Sequence, residues 1–328
     1  MIMVEVTGKI LDLLRDQDRY LSGATMSKIF GISRSAIWKH ISSLRREGYD
    51  IVAKPAGGYR LIAIPSHLTT WELQSGLETD VFGHTMHTLY EVSSTNQFAF
   101  QLALRGGEEG EVVVAESQTR GKGRMGRRWE SPPGVNIYLS LILRPQIPPN
   151  RIPLISLMAA VACAEAIEEV TTIMPAIKWP NDLLIKRKKL GGILTEADME
   201  MDVINFVIVG IGINVNMPNN SLPSSIDDTA TSLKMELGRE ISRVALIQKL
   251  LSKVEVWYKW FEENKEMDLR RRWEELSQVR GRKGEVSFMG KVIRGEALGI
   301  DEDGALLVQE AKEGVKRIVA GDIRVGGW

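Results

Sequence analysis

The stretch that most constrains the fold of this chain is a loop at 118–129. Its glycines Gly121, Gly123 and Gly126 match the G-x-G-x-x-G pattern of dinucleotide-binding folds, and an apolar run suited to the required strand precedes them. A dinucleotide loop must also open a helix. The residues after this loop contain prolines and lack helical periodicity, so the sequence argues against a dinucleotide-binding fold.

The same loop has the composition of an anion-binding site. It carries five basic residues, three glycines and no acidic residue. Glycines let a backbone approach a ligand closely, and Arg and Lys bind phosphate or carboxylate groups. Without a helix dipole, side chains and loop amides must bind the anion. A solvated loop and a loop that contacts nucleic acid are the alternatives.

Composition limits the classes of protein to which the chain can belong. Its 328 residues are enough for two or three domains, and 42 Lys and Arg balance 42 Asp and Glu, so no global field indicates a nucleic-acid coat. The one cysteine, Cys163, has no disulfide partner and is expected to be structural. We find neither a signal peptide nor an apolar run of membrane-spanning length, which predicts a cytoplasmic protein that does not bind membranes.

Residues 1–64 have the pattern of a winged helix-turn-helix DNA-binding domain. An amphipathic helix over 7–18 precedes two helices capped by Ser22 and Ser33, and two strands then flank a hairpin tip at 54–58. The domain carries ten Lys and Arg against six Asp and Glu, which suits contact with phosphates. A three-helix protein-interaction domain with a solvated basic face is the alternative.

The third helix, predicted over 34–47, separates an apolar face from a basic one. Its apolar face contains Ile37, Ile41 and Leu44. We expect its outer face to contain Arg34, Lys39, His40, Arg45 and Arg46. In a helix-turn-helix, the residues near the start of this helix reach base edges in the major groove, and here they are Arg34, Ser35, Trp38 and Lys39.

Residues 65–276 are predicted to form a central catalytic domain of mixed α and β structure. A strand at 88–92 delivers Ser94 and Thr95 to the start of a helix predicted over 97–104. Such a cluster of hydroxyl groups can bind a polar ligand. Simple capping of the helix is the alternative, and it requires only one of these side chains.

Further along the chain, glycines alternate with polar and basic residues. Asn181 and Asp182 follow a proline in a rigid turn that presents an amide and a carboxylate. A basic hairpin tip at 186–189 is expected to be mostly solvated, except for Lys189, which precedes two glycines of the returning strand. A second glycine-marked strand ends near Asn214. Together with the basic loop, these segments predict a slot walled by bare backbone that holds a flat ligand and an anion.

The last part of the chain, 277–328, is predicted to be a small third domain. Short strands at 285–288, 292–297, 305–309 and 315–319 are joined by tight turns, which is typical of a small SH3-like barrel. The acidic turn between the second and third of these strands lacks the further ligands of a calcium site, so we interpret it as a turn only.

Five segments together resemble the biotin protein ligases, in the bifunctional form that is also the biotin operon repressor. Their order and spacing agree with that family over essentially the whole chain. One departure is Lys122, where the family's common loop has Arg; lysine keeps the charge but loses the bidentate fork, so we expect an effect on ligand retention. The matching segments are 94–96, 118–129, 178–182, 189–193 and 210–214.

The resemblance implies an α+β multidomain architecture: a winged helix-turn-helix, a ligase domain of the class II synthetase-like type and an SH3-like C-terminal barrel. Such ligases join biotin to the α-phosphate of ATP with Mg²⁺, hold biotinyl-5′-AMP, and transfer biotin to a lysine of a biotin carboxyl carrier protein. The resemblance also implies binding to operator DNA and a homodimer favoured by the adenylate.

The resemblance assigns roles to individual residues. Lys189 and Arg124 would be catalytic, Asp182 would be the Mg²⁺ ligand, and Arg317 would reach the ATP site. The implied biotin-binding residues are Ser94, Thr95, Gln118, Gly121, Lys122, Arg124, Lys189 and Gly192. The implied ATP-binding residues are Arg124, Arg127, Trp129, Lys178, Asn181, Asp182, Lys189 and Asn214.

Three other functions stay open at this point. A lipoate or octanoate ligase would share the fold and the chemistry, but it does not explain the basic glycine loop or the winged helix. A transcription factor that senses a small acid would need no catalysis and no pairing of Lys189 with Arg124. An RNA-binding protein that uses the basic loop would leave the other segments unexplained.

Overall fold

The computed structural model describes residues 2–16, 19–55, 57–218, 229–263, 266–288, 291–311 and 313–325. The chain divides into two compact units, the first ending at Gly76 and the second beginning at Leu77. The domain boundaries predicted near residues 65 and 277 stay predictions.

The first unit is a helix-turn-helix followed by a β-hairpin. Two predicted N-caps are confirmed, because the hydroxyl of Ser22 accepts a hydrogen bond from Thr25 N (3.0 Å) and that of Ser33 accepts one from Ala36 N (3.2 Å). Gly31 ends the second helix with a φ of 66°. The elements in chain order are α1 (Ile2–Arg15), α2 (Gly23–Phe30), α3 (Arg34–Arg46), β1 (Asp50–Lys54), β2 (Gly58–Ala63) and α4 (Thr70–Gln74).

Helix α3 packs its apolar face into the core of this unit. Ile37, Ile41 and Leu44 are fully buried, as predicted. The prediction that His40 belongs to the basic outer face is wrong: its ring is buried, and Nδ1 lies 2.7 Å from the hydroxyl of Thr7. Strands β1 and β2 pair antiparallel and form the predicted wing, although Ala56 at its tip lies outside the described residues.

The second unit is built around a seven-stranded sheet of order β3-β4-β5-β9-β8-β7-β6. Strands β3 and β4 are parallel and the other neighbours are antiparallel. The elements are β3 (Met86–Val92), α5 (Thr95–Leu104), β4 (Val112–Gln118), β5 (Ile137–Leu143), α6 (Ile152–Thr171), β6 (Ala176–Lys178), β7 (Asp182–Ile185), β8 (Lys188–Glu200), β9 (Val203–Ile213), α7 (Leu233–Leu237), α8 (Arg243–Glu262) and α9 (Glu266–Leu276).

The core of this unit forms where the central strands meet the helices. Strand β5 is buried along its whole length, and helix α6 is buried on almost every side, including Cys163. Burial raises the pKa of the Cys163 thiol well above its ordinary value, which agrees with a structural role. Helix α5 packs on β4 and β5, whereas α6 packs on β8, α8 and α9.

The connection after β4 settles the question of a dinucleotide fold. Only a short 3₁₀ turn, Arg124–Gly126, interrupts it, and the chain then enters β5, which runs antiparallel to β4. The helix that a dinucleotide fold requires is absent from this described connection, as the prolines predicted. Helix α5, by contrast, begins at Thr95, two residues earlier than predicted.

The C-terminal part is a five-stranded antiparallel sheet of order β13-β12-β11-β10-β14, which confirms the predicted β-rich domain. The fifth strand, β14, was not located from the sequence, and the turn predicted at 289–290 lies outside the described residues. The strands are β10 (Lys283–Phe288), β11 (Lys291–Ile300), β12 (Leu306–Glu310), β13 (Gly314–Ile318) and β14 (Asp322–Val325).

The acidic turn before β12 is held by its own hydrogen bonds. Asp301 Oδ1 accepts from the backbone N–H groups of Asp303 and Ala305, and the guanidinium of Arg317 pairs with both aspartates. Within the described ranges, no group of three or more His, Cys, Asp or Glu side chains is suited to hold a metal ion. None of the helices in those ranges is long and apolar enough to cross a membrane.

Candidate functional site

A cavity of about 880 Å³ in the second unit brings together every residue predicted for the ligand site except Gly121 and Arg317. Its walls come from β5, β7, β8, β9 and β14, from the start of α5, and from the basic loop after β4. The predicted residues among its lining are Ser94, Thr95, Gln118, Lys122, Arg124, Arg127, Trp129, Lys178, Asn181, Asp182, Lys189, Gly192 and Asn214.

Gly121 lies beside the cavity and shapes the loop. A Cβ atom at Gly121 would lie 2.4 Å from the carbonyl oxygen of Trp129 and 2.7 Å from the hydroxyl of Ser131. The N–H of Trp129 also donates to the carbonyl of Gly121, at 2.9 Å. Only glycine fits this close approach. The packing of the loop therefore accounts for a glycine at position 121 without a ligand.

One end of the cavity is a neutral hydrogen-bonding network at the start of α5. Ser94 occupies the N-cap position, yet its side chain makes no capping bond, and Gln118 Oε1 instead accepts from Thr95 N at 2.8 Å. The hydroxyl of Ser140 donates to Asn96 Oδ1 (2.6 Å) and lies 2.8 Å from Thr95 Oγ1. The capping alternative therefore does not account for the Ser94 side chain.

This network is anchored by two residues that the sequence reasoning missed, Ser140 within it and the carboxylate of Glu196 at its edge. Asn96 Nδ2 donates to Glu196 Oε2 (2.7 Å) and to the carbonyl of Leu194 (3.1 Å). Ser140 and Glu196 lie on strands far from Asn96 in the chain, and no local pattern marks them. The contacts show that the Asn96 side chain is fixed by the protein, although Asn96 lines the cavity together with Ser94.

The glycines of strands β8 and β9 are required to different degrees by the packing around them. A Cβ at Gly210 would lie 2.0 Å from Asn96 Oδ1, and a Cβ at Gly212 would lie 2.8 Å from Trp129 Cε2. These glycines make room for protein side chains, and both also line the cavity. At Gly192 the nearest atom to such a Cβ is Lys189 Cε, at an ordinary 3.4 Å, and the residue faces the cavity.

Lys189 stands between a carboxylate and an aromatic ring. Its Nζ lies 2.6 Å from Asp182 Oδ1 and 5.5 Å from the centre of the Trp129 ring. The carboxylate and the ring face both stabilise the ammonium group. The indole N–H of Trp129 is buried, and no hydrogen-bond partner for it lies among the described residues.

Arg124 and Arg127 of the basic loop share the carboxylate of Asp322 on β14. Arg124 Nη1 lies 3.6 Å from Asp322 Oδ1 and donates to Asn181 Oδ1 at 3.2 Å, and Arg127 donates to Asp322 Oδ2. Burial lowers the pKa of Arg124, while Asp322 and Asp182 oppose this shift. A guanidinium nevertheless stays cationic at neutral pH, so the cavity holds a permanent positive group here.

Asp322 and Arg324 were missed because β14 is only four residues long. Arg317, which the resemblance directed to the ATP site, pairs with Asp301 and Asp303 and is not among the residues that line the cavity. The C-terminal sheet thus reaches the site through a different strand from the one expected.

Two predicted polar residues are also held by the protein itself. Asn181 Nδ2 donates to the carbonyl of Ile193 at 2.6 Å, and Asn214 Nδ2 donates to the carbonyl of Thr231 at 3.0 Å. Both still line the cavity, as does Lys178 at the end of β6. Lys122 is exposed, and its backbone forms an isolated antiparallel β-bridge with the backbone of Arg128.

The first unit presents a second candidate surface, on the outer side of α3. Trp38 is 57% exposed, and Arg34, Ser35 and Lys39 beside it are exposed as well. Arg45, at the far end of the helix, donates to the carbonyl of Ile51 in the wing and thereby joins helix to hairpin. The predicted DNA-contacting residues therefore share one exposed face.

A helix-turn-helix unit and a cavity that concentrates cations define a DNA-binding protein joined to an enzyme that brings anionic groups together. Comparison with known sequences supports each part. Residues 7–60 match an HTH domain, residues 88–214 match the biotin/lipoate A/B protein ligase family, and residues 283–326 match the biotin protein ligase C-terminal domain.

Relatives cover nearly the whole chain. The bifunctional ligase/repressor BirA of Bacillus subtilis (strain 168) is 42% identical over 311 residues, which are 94% of this chain and 95% of the relative. The protein of the same name from Escherichia coli (strain K12) is 31% identical over 304 residues, 92% of each chain. The chain therefore belongs to the family of bifunctional biotin ligase/repressors, and its helix-turn-helix and ligase domains support both activities.

A solved structure agrees with this assignment. The biotin protein ligase from Aquifex aeolicus, in complex with biotin and ATP, superposes with a TM-score of 0.64 at 31% identity. The match covers 74% of this chain and 98% of that chain. The ligase fold is thus shared with an enzyme whose structure holds both ligands.

Proposed function

We propose that the cavity binds biotin and MgATP, forms biotinyl-5′-AMP, and transfers biotin to a lysine of a biotin carboxyl carrier protein. The observation that carries this proposal is the arrangement of cations in one cavity. Lys189 and Arg124 both line it, and each is paired with a carboxylate, Asp182 and Asp322 respectively. An enzyme that joins two anions needs preorganised positive groups of this kind.

In the first step, an oxygen of the biotin carboxylate attacks the α-phosphorus of ATP, and the bond to the pyrophosphate leaving group breaks. Charge repulsion opposes the approach of the two anions. Lys189 and Arg124 lower this barrier by binding the carboxylate and the α-phosphate, and they exchange Asp182 and Asp322 for the oxygens of the substrates. Hydrogen bonds to charged groups of this type contribute about 1.5–3 kcal/mol each.

The neutral network suits the ureido ring of biotin, which offers two N–H donors and one carbonyl acceptor. Ser94, Thr95 and Gln118 line the cavity there and provide donors and acceptors without a net charge. Gly192 lines the cavity on the same strand as Lys189, and a Cβ there would contact Lys189 and Asp182 without overlap. The carboxylate end of biotin would then extend towards Lys189.

The nucleotide would occupy the region between Trp129, Asn181 and the loop arginines. Trp129 offers a ring face, while Arg127 and Lys178 offer positive charge. Mg²⁺ is proposed to enter with ATP, held mainly by phosphate oxygens. Asp182, which lines the cavity beside Lys189, would supply a protein carboxylate to its shell, since Mg²⁺ takes one or two carboxylates in such sites.

The second step needs no nucleophile from the enzyme. The amine of the carrier lysine attacks the carbonyl carbon of the mixed anhydride, an amide bond forms, and AMP leaves. The task of the enzyme is to keep water from the anhydride until the carrier arrives. Closure of the basic loop over the cavity would do this.

The first unit is proposed to bind operator DNA through Arg34, Ser35, Trp38 and Lys39. These side chains share the exposed face of α3, and the basic wing lies at its end. We propose that biotinyl-5′-AMP favours a homodimer that spans two operator half-sites, which would couple the ligase state to repression. Sedimentation with and without biotin and ATP measures this coupling; no shift towards dimer would contradict it.

The ligase role is tested by Lys189→Ala and Arg124→Ala, with Lys186→Ala as a matched control. Lys186 belongs to the same hairpin as Lys189 but does not line the cavity. We expect the first two variants to lose adenylate synthesis or retention by at least about tenfold, and the control to keep it. If the two variants keep ligand-dependent DNA binding and the wild type makes no adenylate, the protein is a sensor of a small acid instead.

A further inference from the structure

The hairpin between β7 and β8 turns through just two residues, Lys186 and Arg187. Ile185 pairs directly with Lys188 across the hairpin. Lys186 has a φ of 48° and Arg187 a φ of 71°, so both adopt the left-handed conformation. A two-residue turn of this type favours Asn-Gly, because only glycine enters that region without a steric penalty from a Cβ atom.

The two residues of this strained turn face different surroundings. Lys186 pairs with Glu236, with Nζ 2.9 Å from Oε2, and it is not among the cavity-lining residues. Arg187 lines the cavity together with Leu184 and Lys189 of the same hairpin. A long basic side chain in a left-handed conformation, which favours glycine, is unusual. Such backbone conformations cluster at functional sites, and this one lies beside a cavity.

The direction of strand β8 places Arg187 beyond Lys189, away from the network at the start of α5. The neutral network contacts β8 at Leu194 and Glu196. A strand advances about 3.3 Å per residue, so Arg187 lies on the order of 20 Å from Leu194 along the chain, beyond Lys189. If Lys189 stands where the carboxylate meets the α-phosphate, the outer phosphates of ATP lie on the side of Arg187.

We infer that Arg187 is a further substrate-binding residue, which contacts the β- and γ-phosphates of ATP and hence the pyrophosphate leaving group. A planar guanidinium binds phosphate oxygens in a bidentate manner and keeps its charge at all relevant pH values. This inference rests on the proposed adenylation reaction and adds one positive group to it.

The test compares Arg187→Gly with Lys186→Gly in the full-length protein. Each change removes one positive charge and one left-handed non-glycine residue from the same turn, so both relax the backbone and keep the chain folded. Only Arg187→Gly removes a side chain from the cavity wall. The quantities to measure are the KM for MgATP, the KM for biotin, and inhibition by inorganic pyrophosphate.

We expect Arg187→Gly to raise the KM for ATP and the inhibition constant of pyrophosphate about tenfold, with no change in the KM for biotin. Lys186→Gly should leave all three within about twofold. The Arg187 effect should shrink at high salt, because ions screen an exposed guanidinium.

An unchanged KM for ATP and unchanged pyrophosphate inhibition in Arg187→Gly would overturn the inference, and so would an equal effect of Lys186→Gly. A shift in the KM for biotin alone would also overturn it. Failure of the proposed reaction itself is distinguishable, because the wild-type protein would then form no adenylate at all.

Discussion

Replacing Gly212 with alanine moves the Trp129 ring by a distance that the structure fixes. The new Cβ would lie 2.8 Å from Trp129 Cε2 and 2.9 Å from both Cζ2 and Nε1. Carbon atoms in contact prefer about 3.5–4.0 Å, so the ring must retreat by at least about 0.7 Å. Its backbone cannot follow freely, since the N–H of Trp129 is bound to the carbonyl of Gly121.

The energetic cost of Gly212→Ala follows from this overlap. Overpacking costs about 1–3 kcal/mol. Displacement of the ring also weakens its contact with Lys189, which lies 5.5 Å from the ring centre, and such contacts contribute about 0.5–1 kcal/mol at exposed sites. If 1–3 kcal/mol falls on the transition state, kcat/KM for ATP drops by roughly 5- to 150-fold.

The assay is biotin-dependent exchange of pyrophosphate into ATP, with thermal unfolding measured alongside. Gly192→Ala is the matched contrast, because its Cβ would lie 3.4 Å from Lys189 Cε and 3.5 Å from Asp182 Oδ1, which are ordinary contact distances, and would displace no ring. We expect this variant to lower kcat/KM for ATP less than Gly212→Ala does. If Gly212→Ala keeps kcat/KM for ATP within about twofold, Trp129 is not part of the nucleotide site.

Three further predictions concern other parts of the chain. Trp38→Ala should lower the preference for operator over random-sequence DNA by about 1–3 kcal/mol and leave the affinity for random-sequence DNA nearly unchanged. An equal loss of affinity for both DNAs in a binding titration would contradict a contact between Trp38 and the bases. Burial lowers the pKa of His40, so below its ordinary value of 6.5 the unfolded chain takes up a proton that the folded chain does not. The free energy of unfolding should therefore fall as pH drops through 6.5, less so in His40→Gln, and calorimetry that shows identical pH profiles would refute this. Arg243→Ala leaves the buried carboxylate of Glu116 without its partner at 2.8 Å and should cost about 3–5 kcal/mol in a denaturant titration; a loss below about 1 kcal/mol would contradict the pairing.

Local signals explain why the first unit was predictable. The caps at Ser22 and Ser33 are set by a side chain and a backbone N–H three residues away, so the sequence contains both partners. His40 was assigned to the outer face because it was grouped with the basic residues. Positions 37, 40 and 44 share one helical face, so periodicity places His40 in the core, where it meets Thr7.

The cavity itself was predicted only in part, because many of its contacts join distant segments. Asp322 reaches the loop arginines from the last strand, and Ser140 and Glu196 complete the network around Asn96. No spacing in the sequence encodes such pairs. The resemblance to a known family identified the residues that line the cavity. The residues that hold them in place could be identified only from the three-dimensional structure.

The glycines show a further limit of sequence reasoning. A glycine pattern indicates that something approaches the backbone closely, but it does not say whether that is a ligand or a side chain. At Gly210 the close group is Asn96, and at Gly212 it is Trp129. Gly192 also lines the cavity, and there Lys189 and Asp182 lie at ordinary contact distance from an added methyl group without overlapping it.

The most direct test of the account is native mass spectrometry of the purified protein after incubation with MgATP and equal amounts of biotin, lipoate and octanoate. We predict a retained mass equal to biotinyl-5′-AMP, which identifies both the reaction and the substrate. A lipoyl or octanoyl adenylate would contradict the choice of biotin. Bound, unreacted biotin without any adenylate would contradict the ligase reaction and leave a sensor that binds DNA.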